Sequence, residues 1–212
     1  MDLVSDHMDY IGINYYGAEA LKGAAIKISP KYEYSDSGRA VSPNGFSKIL
    51  NKFHERYNDK KVGRKKSLKS LPFIITENGV SDEKGWLQSS YFIEHLLALS
   101  DFMKSGGEVL GYIAWSLTDN LEWSDGYCPK FGLLKIDRKN NLKRIPRPGY
   151  FVFKKIVNLR HISILDRKLA WDKVNHSIGT LRPFCRGENG ETALHEPRFI
   201  KVKNIDWRYG TN

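Results

Sequence analysis

The stretch that most constrains this chain is Leu71-Pro72-Phe73-Ile74-Ile75-Thr76-Glu77-Asn78-Gly79-Val80. An apolar run climbs to a single carboxylate, and Asn78-Gly79 turns the chain at once. A continuous apolar run with turn residues behind it suits a strand buried on both faces, the usual condition in a parallel sheet. Nothing in a plain structural strand requires Thr-Glu-Asn-Gly at its end. The stretch reads as a buried strand that delivers one acid, Glu77, to the mouth of a pocket.

Two further stretches have the same form. Asp9-Tyr10-Ile11-Gly12-Ile13-Asn14-Tyr15-Tyr16-Gly17 is a short apolar strand ending in polar and aromatic groups. Val109-Leu110-Gly111-Tyr112-Ile113-Ala114-Trp115-Ser116-Leu117 is another, and it opens into Thr118-Asp119-Asn120-Leu121-Glu122-Trp123. Helical periodicity separates them. Ser42 is a good N-cap and Pro43 a good first helical residue, and Phe46, Ile49, Leu50, Phe53 and Tyr57 then mark one apolar face, predicting a helix over 43–58. Tyr91, Phe92, His95, Leu96, Leu99, Phe102 and Met103 mark a second helix, stopped at Gly106-Gly107. A short strand is expected within 131–137 and a last helix over 149–157, after Pro146 and Pro148.

Alternating strands and helices predict β/α units around a parallel sheet, with all three strands carrying their unusual groups at the C-terminal end. In a (β/α)8 TIM barrel that end holds the active site, and eight strands close it. The expected fold class is α/β, with residues 1–157 as about the last three units of such a barrel and 158–212 as a C-terminal extension. That extension is basic and poor in clear periodicity, so it reads as an appendage. The stretch 60–70 is polar and basic, and a solvated loop is its simplest reading.

Composition narrows the function classes. With 41% hydrophobic and 12% aromatic residues the chain has the material for a core. The net charge of +10 is scattered rather than clustered, and nucleic-acid binding is not expected from it. Cys128 and Cys185 are too few for a disulfide framework or a zinc cluster, which fits a reducing compartment or mere indifference to redox conditions. No spacing of His, Asp and Glu argues for a metal site, and no cofactor is implied. No run approaches the ~18 apolar residues of a membrane-spanning helix.

A retaining glycosidase needs a nucleophilic carboxylate and an acid/base carboxyl ~5–5.5 Å apart. The nucleophile must be ionised and held still, and a tyrosine hydroxyl donating to it favours the charged form. Tyr16 sits at the end of its own strand and can do this for Glu77. Sugars also need polar anchors for their hydroxyls and aromatic faces for their C–H surfaces, which Trp115, Glu122, Trp123 and Phe131 supply. Singly, each has a bland reading: a surface acid, core packing, a turn at Asp119-Asn120, packing histidines at His54 and His95. Their order along the chain carries the reading, each cluster falling after a barrel-like strand.

Ile13-Asn14-Tyr15-Tyr16, Ile75-Thr76-Glu77-Asn78-Gly79, the run 115–123, Gly126-Tyr127 and Lys130-Phe131-Gly132-Leu133 together resemble glycoside hydrolase family 1, the β-glucosidase and β-galactosidase family. The resemblance covers about 9–157. It implies a TIM barrel with a retaining mechanism, Glu77 as nucleophile and Tyr16 as its hydrogen-bond partner. It further implies Trp115 as a platform under the sugar, Glu122 and Trp123 binding its hydroxyls, and Phe131 and Asn14 as further members of the subsite. Within the family the chain is most similar to the plant branch that transfers galactose between galactolipids. The stretches that carry this include Phe53-His54-Glu55-Arg56-Tyr57, Arg144-Ile145-Pro146-Arg147-Pro148 and, in the extension, Arg182-Pro183-Phe184 and Asp206-Trp207-Arg208. That branch implies a galactolipid substrate, a membrane surface for the full-length protein and a chloroplast outer-envelope location.

The chain departs from the family in three ways. The Thr-x-Asn-Glu-Pro motif of the acid/base glutamate does not occur, nor does an N-terminal anchor, and 63–70 looks like an insertion before the nucleophile strand. Taken alone, the 212 residues are therefore expected to be inactive. The alternatives are an ordinary β-glycosidase with water as acceptor, or a truncated piece that only binds sugar or lipid.

Overall fold

The computed structural model describes residues 7–19, 21–22, 25–26, 28–58, 70–187 and 198–211. The central sheet holds three parallel strands, β1 (Ile11–Tyr15), β4 (Phe73–Asn78) and β5 (Val109–Ala114), in the order β1-β4-β5. Between β1 and the first helix lie two two-residue strands, β2 (Leu21–Lys22) and β3 (Ala25–Ile26), paired antiparallel. The crossovers are α1 (Pro43–Asn58) and α2 (Gln88–Lys104), and α3 (Pro148–Leu159) follows β5. The expected strand–helix order is the observed one.

Local chemistry sets the ends of these elements. Ser42 Oγ accepts from the Gly45 amide at 3.1 Å, capping α1 as its position before Pro43 predicts. At the end of α2 the Gly107 amide donates to Phe102 O at 3.0 Å and the Gly106 amide to Met103 O at 3.1 Å. This closing pair of bonds needs a left-handed residue, and Gly106 supplies it with φ of 104°. On the helix side of the sheet Ile11, Ile13, Tyr15, Phe73 and Ile75 pack against Phe46 and Leu50 of α1 and Ala98, Leu99 and Phe102 of α2. His95 lies wholly buried here, stacked on Tyr91 with ring centroids 3.8 Å apart, and burial lowers its pKa to about 3. It is a packing residue.

The short strand near 131–137 is β6 (Leu134–Asp137), and it forms an antiparallel hairpin with β7 (Lys143–Pro146), which the sequence reading did not anticipate. The C-terminal extension differs more from expectation. It folds into α4 (Ile164–Ser177) and the antiparallel pair β8 (Leu181–Phe184) and β9 (Arg198–Lys201). Rather than hanging free, it shares the second core: Trp171, Val174 and Trp207 pack with Val80, Leu87, Tyr91, Phe92 and Leu133.

Two buried carboxylates anchor it. Glu94 on α2 accepts two bonds from Arg167 at 2.8 Å, one from Trp171 Nε1 at 2.7 Å and one from the Tyr209 amide at 2.8 Å. Asp36 accepts from Arg182 Nη1 at 2.5 Å and from the Glu83 amide at 2.7 Å. Weak apolar periodicity hid this role, because α4 joins few buried apolar side chains with charge-assisted bonds.

The segment 59–69, on which the basic loop and the insertion 63–70 were read, lies outside the described residues apart from Ser70. Among the described residues β1 and β5 each have one unpaired edge, and Leu110 and Ile113 on β5 are more than half exposed. Open edges beside exposed apolar side chains template association. The 212-residue chain purified alone is therefore expected to self-associate, and a monodisperse monomer in light scattering would contradict this.

Candidate active site

The register places the chemistry. Asn14 pairs with Glu77 and Tyr15 with Asn78 across β1–β4, and Asn78 pairs with Ala114 across β4–β5. All three strands thus end at one level, and Tyr16, Glu77 and Trp115 emerge side by side. Asn78 ties the ends together: its amide donates to Tyr15 O at 2.6 Å and to Tyr91 Oη at 3.0 Å, while Tyr112 Oη donates to its Oδ1 at 2.6 Å. Gly79 leaves no room for a side chain, since a Cβ there would overlap the Trp115 carbonyl oxygen. Gly79→Ala is expected to cost about 1–3 kcal/mol by pushing these strand ends apart, read by denaturant unfolding.

Tyr16, Glu77, Trp115, Glu122, Trp123 and Phe131 line one cavity of about 350 Å3. Tyr16 Oη donates to Glu77 Oε2. The tyrosine pKa is raised, first by burial and then by the bond and charge of Glu77, so the hydroxyl stays protonated and able to donate. Phe131 packs edge-on against the Tyr16 ring, with centroids 5.5 Å apart. Trp115 Nε1 donates to Glu122 Oε1 at 3.1 Å. Burial raises the Glu122 pKa against the opposing effect of that bond and one from Asn120. Trp123, 88% exposed, presents its indole to the opening. Asn14 is the exception. It does not line the cavity, and its Oδ1 accepts from Thr76 Oγ1 at 2.5 Å on an exposed face of the sheet.

The 115–123 wall is held from below by a pair that looked like a mere turn in the sequence. Asp119 and Arg147, both buried, make two bonds of 2.9 Å. Asp119 Oδ1 also accepts from the Gly132 amide at 3.0 Å, and Arg147 Nη1 donates to Gly132 O at 2.7 Å. The pair thereby locks the loop bearing Trp115 and Glu122 to the segment bearing Phe131. Only its partner, 28 residues away, distinguishes Asp119 from a turn residue.

Five cavity residues beyond those expected are Ser37, Arg39, Ser124, Asp125 and Arg186. Arg186 comes from the C-terminal extension, and no sequence signal links it to Asp125. Nor did the cysteine count reveal that Cys128 and Cys185 are joined in a disulfide, 57 residues apart with Cα atoms 5.8 Å from each other. Two cysteines build no framework, but the return of β8 to the cavity rim brings this one pair together. Among the described residues no cluster of His, Cys, Asp and Glu is arranged to hold a metal ion.

A carboxylate at a strand end, held by a tyrosine hydroxyl and walled by indole rings and a second carboxyl, is the half-site that glycosyl transfer through a covalent intermediate needs. The family model for glycosyl hydrolase family 1 matches residues 1–161. The chain belongs to glycosyl hydrolase family 1. Its β/α units are part of that family's TIM barrel. The family 1 β-glucosidase of Pyrococcus furiosus superposes with a TM-score of 0.65 at 31% identity, covering 80% of this chain and 37% of that one. The galactolipid galactosyltransferase SFR2, chloroplastic, of Arabidopsis thaliana is 45% identical over 99% of this chain and 33% of its own length. The β-glucosidase-like SFR2, chloroplastic, of Oryza sativa subsp. japonica is 43% identical over 99% of this chain. The family 1 chain described here thus spans about a third of the length of these relatives.

Proposed function

We propose that this chain carries the nucleophile side of a retaining enzyme that moves galactose from one galactolipid to another. Glu77 attacks the anomeric carbon of the donor galactolipid, and the bond from that carbon to the glycerol oxygen breaks. The departing oxygen takes a proton from a second carboxyl group and leaves as diacylglycerol. A sugar hydroxyl of a second galactolipid then attacks the galactosyl-enzyme, giving its proton to the same carboxyl and releasing Glu77. That acid/base group is assigned to the part of the relatives' length this chain does not span.

The observation that carries this reading is the Tyr16–Glu77 bond inside a cavity walled by Trp115, Glu122, Trp123 and Phe131. Trp115 serves as the platform under the galactose ring, and Glu122 and Trp123 take its hydroxyls. Galactolipid is favoured over a soluble glycoside because the likeness to SFR2 runs through the extension, over 99% of the chain. The site of action on this reading is a membrane surface, the chloroplast outer envelope. No helix among the described residues is long and apolar enough to cross a membrane.

Hydrolysis of a β-glycoside with water as acceptor is the second reading, supported by the 31% identity to the Pyrococcus furiosus β-glucosidase. Incubating the intact gene product with monogalactosyldiacylglycerol separates the two. Oligogalactolipid and diacylglycerol are expected, and free galactose as the sole sugar product would overturn the transfer reading.

A further inference from the structure

We propose that the C-terminal extension is a thiol-sensitive clamp on the sugar-binding wall, in which Arg186 is a positioning residue and the Cys128–Cys185 disulfide is the catch. This rests on the cavity being the sugar site described above.

The clamp joins two walls distant in sequence. On one side, Arg186 Nε donates to Ser37 O at 2.9 Å and the Cys185 amide to Asp36 O at 2.7 Å, holding the loop that brings Ser37 and Arg39 to the cavity. Gly38, between them, has φ of 84°, and a Cβ there would meet Arg186 Cγ at 2.6 Å, so the guanidinium arm lies directly on this turn. On the other side, Arg186 Nη1 and Nη2 donate to Asp125 Oδ1 and Oδ2 at 2.7 and 2.6 Å. Asp125 closes the short 3-10 turn Trp123–Asp125, so this fork fixes the turn that carries Trp123. Three residues further along, Cys128 is bonded to Cys185.

A planar bidentate fork sets orientation as well as distance, which a single lysine charge does not. The Trp123 side chain is 88% exposed, so its orientation depends on the turn that bears it. Cys185 is wholly buried but Cys128 is partly exposed, so a small dithiol can reach the bond from the Cys128 side. Reduction breaks the Sγ–Sγ bond, leaves two thiols and converts the dithiol to its own disulfide. The extension itself stays docked, because Arg182 and Arg167 hold it at Asp36 and Glu94. The wall loosens while Glu77 and Tyr16, on strands β4 and β1, keep their places.

The test uses the intact gene product and a chromogenic β-galactoside, with dithiothreitol as reductant and alkylation followed by mass spectrometry to score the bond. Opening the bond is expected to raise KM by about tenfold, a 1.4 kcal/mol loss of binding, with kcat held within about twofold. Arg186→Gln should do the same and Arg186→Lys should recover only part, because the fork is lost. A fluorinated galactosyl donor that accumulates on Glu77 provides the control. If no adduct forms in the unmodified protein, the active-site reading has failed. If the adduct forms but KM is unchanged with the disulfide open and in Arg186→Gln, the clamp has failed. A fall in kcat that tracks a fall in melting temperature would mark the contacts as structural only, and also overturns it.

Discussion

If Glu77 is the nucleophile proposed above, Glu77→Ala is expected to abolish turnover of a β-galactoside in the intact gene product, by on the order of 10^4–10^6-fold. The methyl group cannot attack the anomeric carbon, and Tyr16 loses the acceptor of its hydrogen bond. Added formate should restore part of the rate by occupying the emptied space and attacking from the same face. Tyr16→Phe should keep the nucleophile but remove the donor that holds it, lowering the rate by about 10^2–10^3-fold. Glu77→Ala with near-normal turnover would remove Glu77 from the chemistry. A tyrosine effect without a glutamate effect would point to packing against Phe131 instead.

The second large effect is on stability and lies in the extension. Arg182→Met is expected to destabilise the fold by about 3–5 kcal/mol, measured by denaturant unfolding, because it leaves two buried acids without their shared donor. Arg182 is wholly buried and bonds Asp36 at 2.5 Å, Glu33 at 2.6 Å and the Tyr34 carbonyl. One guanidinium therefore serves two acids, and burial pushes the Asp36 pKa up to about 7. The sign of the pH dependence follows. The native cluster keeps a proton on Asp36 that the unfolded chain releases near 3.8, so the native state binds more protons between those values. Stability from this group is complete below 3.8 and is lost as pH rises towards 7. Asp36→Asn should flatten that fall; an unchanged pH profile would mean that Asp36 titrates normally.

Local pattern made much of the fold legible. The apolar run from Phe73 gives the central strand, and the spacing of Phe46, Leu50 and Phe53 gives the buried face of α1. Ser42-Pro43 and Gly106-Gly107 mark helix ends because capping is a matter of a few adjacent residues. The site was partly legible for the same reason: Glu77, Tyr16 and Trp115 each stand where an apolar strand stops. Asn14 was grouped with them by its place in a motif; it stands exposed on β1, bonded to Thr76 and outside the cavity lining.

What the sequence by itself determined is the set of local elements, their β/α order and the identity of the acid at the end of β4. These depend on periodicities of two and 3.6 residues, which any short window displays. Only the tertiary structure decided that Asp119 is a buried clamp rather than a turn, that the two cysteines meet, and that the extension reaches the cavity through Arg186. Arg182 and Asp36 stand 146 residues apart. A charge pair across such a distance leaves no periodic trace in either partner, and its selectivity comes from burial, which only the folded chain supplies.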